Sequence, residues 1–164
     1  MIIARLILAA ILAFFPRFPT RQCVIDNTEA IVQHAVNAEQ YGVPAGVFLI
    51  VGFAETHLGC DAGEGGGYGA PIDRFHRHTP GTPEHAARAL AASYRVCHTW
   101  EGAISRFRSG QCHLLPTDPR SGYVRRALVL IPRAYRHAGV EPIDLRAPHA
   151  TITVTSVTSP THSL

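Results

Sequence analysis

Residues 46–60 read GVFLIVGFAETHLGC, and Glu55 is the one acidic group in a run otherwise suited to a domain interior. A carboxylate placed there loses hydration that it must recover from a partner. Either the glutamate marks the point where a helix surfaces, or it is positioned to hold a proton. On a helix, Phe48, Val51 and Glu55 fall near one face, so the carboxyl emerges from an apolar wall. Desolvation on such a wall disfavours the charged form and raises the pKa, the condition for a general acid near neutral pH. Asp61, Glu64 and Asp73 follow in a Gly-rich segment and are the candidates for a second carboxylate.

The other chemistry-bearing residues have plainer readings. Ten histidines invite a metal site, above all His76 and His78 with His57 or His85, but there is no HExxH and the RFHRH stretch shows no helical frame. No metal and no cofactor are expected. The same RFHRH, residues 74–78, is the nearest thing to a basic cluster in a chain of net charge +3 whose basic residues are all Arg. A solvated loop describes it better than a nucleic-acid contact. The flat ring of Trp100, the only tryptophan, suits stacking on a sugar, although packing beside a disulfide is the favoured role.

The positioning elements are helical. Asp26 with Glu29 has the form of a capping box, and Ile31, Ala35, Ala38 and Tyr41 follow at helical spacing, predicting a helix over 28–41 that Gly42 stops. Pro44 sits at a first helical position, opening the apolar helix that ends near 55–57, with Gly59 as its stop. Residues 60–81 are rich in Gly and Pro and read as a loop, which Thr82 and Pro83 close as N-cap and N1 of the next helix. Its stripe is Ala87, Leu90, Tyr94 and Cys97. Further helices are expected over 100–108, stopped by Gly110, and over 123–138, where Pro132 should kink or divide the run. Strand signals are weak, so the fold class is mostly α.

The 164 residues suit one domain. Arg5 ahead of an apolar stretch from Leu6 to Phe15 that Pro16 stops fits a signal-peptide core, too short to span a bilayer. The cleavage pattern is poor, which leaves an uncleaved N-terminal anchor and membrane association open; Cys23 has no lipobox before it. The organisation expected is a leader or anchor over 1–22, a catalytic domain over 23–145 and a Thr/Ser-rich, disordered tail over 146–164. Export to the periplasm, cell envelope or medium makes disulfides the natural use of Cys23, Cys60, Cys97 and Cys112. Of three possible pairings, Cys97 with Cys112 closes a short loop and leaves Cys23 with Cys60.

The stretch YGVPAGVFLIVGFAETHLG resembles the start of lysozyme-like and soluble lytic transglycosylase domains, where a helix after a "y-g-v-p" entry delivers the catalytic Glu. WEGAISRFRSG resembles the "alaaYNaG" helix of that superfamily, and SGYVRRALVLI its closing "tr-Y-v-r-v" helix. The order and spacing agree over most of the chain from Asn27 to Tyr135. There are two departures, Thr56 where Ser usually follows the Glu and no Gln in GYGAPIDRF where the family carries "G-l-m-Q"; the Y-G-A-P pattern with its downstream H-T-x-G-T resembles a divergent bacterial branch of the superfamily.

The resemblance implies a lysozyme-like helical domain that cleaves the β-1,4 bond between N-acetylmuramic acid and N-acetylglucosamine in peptidoglycan. Glu55 would be the acid/base, with Thr56, Tyr68, Gly69, Ala70 and Tyr123 lining the substrate groove and Phe107 standing where the "YNaG" tyrosine does. A lysozyme pairs its acid with a second carboxylate, whereas a lytic transglycosylase manages with one and forms a 1,6-anhydro sugar. The resemblance favours the second. The alternative is a catalytically inert lysozyme-like domain that binds glycan or inhibits another wall enzyme. Oligomeric state is not legible.

Overall fold

The computed structural model describes residues 1–61 and 82–148. Seven α-helices and no strand occur among the described residues: α1 (Ile2–Phe14), α2 (Arg21–Asp26), α3 (Thr28–Glu39), α4 (Ala45–Thr56), α5 (Pro83–Cys97), α6 (Trp100–Ser109) and α7 (Ser121–His137). None of them is long and apolar enough to cross a membrane.

α4 is the centre. Every residue from Ala45 to Phe53 is buried, as a helix apolar all round requires. α1, α3 and α7 pack against it, while α5 pairs with α6 and touches α3, and α6 also meets α7. The apolar N-terminal stretch is thus a packed helix: Ile7, Leu8 and Ile11 of α1 are in the core, and Arg5 pairs with Glu29 of α3. Past α1, Phe15 and Phe18 lie against Phe53, with ring centroids 5.0 and 5.2 Å away, and cover the last turns of α4.

α4 begins in a close approach. The Gly46 N–H, one of the first-turn donors that a helix leaves unsatisfied, donates to Tyr135 Oη of α7 at 3.3 Å. A Cβ at Gly46 would fall 2.1 Å from Cε2 of that buried ring. Gly46→Ala is therefore expected to destabilise the protein by about 1–3 kcal/mol, the usual cost of overpacking, read as a lower denaturation midpoint. An unchanged midpoint would mean that α7 yields freely at this contact.

Several local expectations are corrected. Asp26 ends α2, a short helix the periodicity did not show, so it cannot cap α3; the N-cap is Asn27 and makes no side-chain capping bond. Pro44 is the N-cap of α4 rather than its first helical residue. α4 stops before Gly59, because His57 and Leu58 are already left-handed, at φ 47° and 61°. α7 is neither divided nor ended by Pro132, since Val124, Ala127, Ile131 and Ala134 bury one continuous stripe on both sides of it. Thr82 does cap α5, accepting from the His85 N–H at 3.1 Å, and Gly110 at φ 80° ends α6.

Both disulfides occur as expected, Cys23–Cys60 and Cys97–Cys112. The first ties α2 to the turn after α4, and the second closes the segment that contains α6. The chain beyond α7 stays docked to residue 146: the Glu101 N–H donates to Leu145 O at 2.8 Å, and Arg146 Nε donates to Glu101 Oε2 at 2.8 Å. Residues 149–164 of the expected tail lie outside the described residues.

Candidate active site

Glu55 sits where α4 leaves the core, with Phe53 buried before it and Ala54 exposed. Its side chain is only 9% exposed. Two other helices supply what surrounds the carboxyl: Arg108 from the last turn of α6 and Tyr123 from the first turn of α7. Arg108 Nη1 donates to Glu55 Oε2 at 3.0 Å, and the guanidinium lies over the Tyr123 ring, 5.5 Å from its centroid. Three residues from three helices, Arg108 and Tyr123 lying 53 and 68 positions after Glu55 in sequence, thus form one cluster.

The electrostatics of this cluster make Glu55 easier to protonate than an exposed carboxyl. Burial raises the Glu55 pKa from its ordinary value and outweighs the opposing pull of the Arg108 charge and of the hydrogen-bonding groups of Tyr123 and Arg108. Burial, followed by the neighbouring Glu55, pushes the Tyr123 phenol well above its ordinary value, so its O–H stays a neutral donor. That hydroxyl acts on Glu55, yet the pair stops short of ordinary hydrogen-bond geometry: Glu55 Oε1 and Tyr123 Oη are both buried polar atoms with no partner. Oε1 is out of contact with water, and Oε2 is the oxygen held by Arg108.

The raised pKa has a consequence for stability. The ionised carboxyl fits the native state less well than the unfolded chain, so its contribution is full below the unfolded-state pKa and is lost as pH rises through the higher native value. Glu55→Gln, which buries no charge, is expected to melt above the wild type at neutral pH. The difference should vanish below the ordinary carboxylate range. Paired thermal melts across pH check it, and a variant less stable at neutral pH would contradict the raised pKa.

The other expected site residues are placed as follows. Thr56 adjoins Glu55, and its hydroxyl accepts from the Gly59 N–H at 3.0 Å, helping to shape the turn after α4. Phe107 is in the core at 5% exposure. Tyr68, Gly69 and Ala70, with Glu64, Asp73, His76 and His78, lie outside the described residues. Among the described residues, Arg108 and Tyr123 are the groups that act on Glu55, and no second carboxylate is among them. Asp61 lies instead beside His57, Oδ2 to Nδ1 3.7 Å. No group of three His, Cys, Asp or Glu side chains gathers as a metal site among the described residues. Trp100 is 1% exposed and stacks on Tyr94 with ring centroids 4.4 Å apart, so it offers no face to a sugar.

Arg108 is the residue that the sequence reading missed. Its signal was indirect: a buried Glu needs a cation, and α6 ends on Arg106 and Arg108. A cavity of about 490 Å³ between α3 and the start of α5 is lined by His34, Asn37, Tyr41 and Glu84 among others, but not by Glu55, Arg108 or Tyr123. Its one carboxylate, Glu84, is exposed and already paired with Arg88 and with the Tyr41 hydroxyl. The desolvated carboxyl of Glu55 is the better centre for chemistry.

No family model, no curated protein and no solved structure matches this chain. The geometry around Glu55 therefore carries the functional reading.

Proposed function

We propose that this protein is an exported, lysozyme-like enzyme that cleaves peptidoglycan glycan strands with Glu55 as its general acid/base, acting as a lytic transglycosylase. The observation that carries the reading is the Glu55 carboxyl itself: buried at the end of an apolar helix, raised in pKa by that burial, and faced by a neutral tyrosine hydroxyl. The sequence likeness described above supplies the substrate class.

Protonated Glu55 donates to the glycosidic oxygen as the bond from C1 of N-acetylmuramic acid breaks and an oxocarbenium-like centre develops. The resulting carboxylate then takes the proton of the sugar's own C6 hydroxyl, whose oxygen closes on C1 to give the 1,6-anhydro product. Tyr123, a donor beside the carboxyl, stabilises the ionised form between the two proton transfers. One carboxylate is enough for this route, and Arg108 and Tyr123 are the groups around it. Two disulfides agree with an oxidising compartment.

The Arg108 contact favours a second reading, a glycan-binding or inhibitory domain whose carboxylate is held ionised and idle. Incubation of the full-length, oxidised protein with purified sacculi separates the two. Release of soluble fragments supports the enzyme, whereas pelleting with sacculi without release supports the binding domain.

A further inference from the structure

A glycosidic oxygen that is to receive the Glu55 proton must come to the carboxyl oxygen that is not sealed in, and Arg108 occupies that place. Oε1 is sealed from water, and Oε2 accepts the Arg108 hydrogen bond at 3.0 Å. Unless Arg108 leaves, the acid cannot engage a substrate. Its side chain is 47% exposed and lies over the flat face of Tyr123, a surface along which a guanidinium can slide while keeping its cation–π contact. Departure would strand the buried carboxylate, but protonation removes that cost and at the same time makes Glu55 an acid. What remains is a freed guanidinium at the mouth of the site, whose fork of donors matches a carboxylate.

Resting on the assignment of Glu55 as a glycan-cleaving acid, we propose that Arg108 is a substrate-reading residue that leaves Glu55 for a carboxylate carried by the glycan strand, so that an anionic substrate frees the acid that cleaves it. The exchange is one-for-one: the Arg108–Glu55 pair is replaced by Arg108 with the substrate carboxylate, and a proton is taken up at Glu55. A neutral strand offers no such replacement and leaves Arg108 in place. Peptidoglycan strands carry carboxylates on the stem peptide and, wherever that peptide has been removed from the lactyl group through which it is joined, on the muramic sugar itself; both have this chemistry.

The experiment compares initial rates of the full-length, oxidised wild type, Arg108→Gln and Arg108→Lys on native sacculi and on sacculi whose carboxyl groups have been converted to amides. The ratio of the two rates is internal to each protein, so loss of folded material in a variant does not affect it. The wild type should prefer native sacculi by about tenfold or more, the worth of a charged hydrogen bond. Arg108→Gln should lose the preference and Arg108→Lys should keep part of it. Strands stripped of peptide by cleavage of the lactyl amide, which carry a newly freed lactyl carboxylate and no peptide carboxylate, distinguish the sources: a rate at or above that on native sacculi shows that the carboxylate of the sugar serves, and a rate near the amidated level assigns the peptide. Equal wild-type rates on native and amidated sacculi, or an unchanged preference in Arg108→Gln, would overturn the inference while leaving the Glu55 assignment standing. No cleavage of any substrate by the wild type would overturn both.

Discussion

Glu55→Gln is expected to lower the release of soluble fragments from sacculi by at least about 100-fold, the smaller end of what a positioned general acid contributes. The amide is close to isosteric, and its carbonyl oxygen still accepts from Arg108, so α4, α6 and α7 keep their places. What it lacks is a proton that it can give to a leaving oxygen and take back from a C6 hydroxyl. The stability change expected at neutral pH is small and favourable, so loss of activity cannot be assigned to unfolding. Activity within a factor of a few of the wild type would remove Glu55 from the chemistry, whatever the rest of the site does.

Reduction of the two disulfides is expected to have the largest effect on stability. Cys97 and Cys112 are 15 positions apart and Cys23 and Cys60 are 37 apart. Loop-closure entropy assigns such bridges about 3 and 4 kcal/mol, a sum comparable with the ~5–15 kcal/mol that holds a whole domain together. The reduced protein should therefore melt at least about 10 °C lower or be largely unfolded at room temperature. The bridges also hold the candidate site. Cys60 follows Glu55 by five residues in the turn that ends α4, and the Cys97–Cys112 loop contains the helix that carries Arg108. Cys97→Ser with Cys112→Ser should accordingly lose activity at temperatures where the rest of the chain is still folded. Thermal melts and activity with and without reductant check this, and equal melting would show that the bridges add nothing to the fold.

Much of the fold could be read from local chemistry. Pro44, Thr82 with Pro83, and Gly110 mark helix ends because their backbone requirements hold wherever the helix packs. The unbroken apolar run before Glu55 announced a helix buried on every side, and that is how α4 lies. The short α2 was not legible, since six residues give too little periodicity, and its presence moved the cap of α3 from Asp26 to Asn27. Pro132 does not divide α7: the ring removes one helical hydrogen bond, yet the buried stripe from Val124 to Ala134 runs on across it. In the candidate site, Glu55 stood out because a carboxylate among apolar residues needs an explanation, and Tyr123 because of the likeness of its helix. Arg108 could not be found that way. Arginines in the last turn of a helix are explained by its dipole alone, and only the packing of α6 against α7 and the end of α4 brings this one to the carboxyl.

The measurement closest to the central claim is mass spectrometry of the soluble products formed from purified sacculi by the full-length, oxidised protein, beside Glu55→Gln. The wild type should yield 1,6-anhydro-muropeptides and the variant none. The same products from both proteins, or none from the wild type, would contradict that claim.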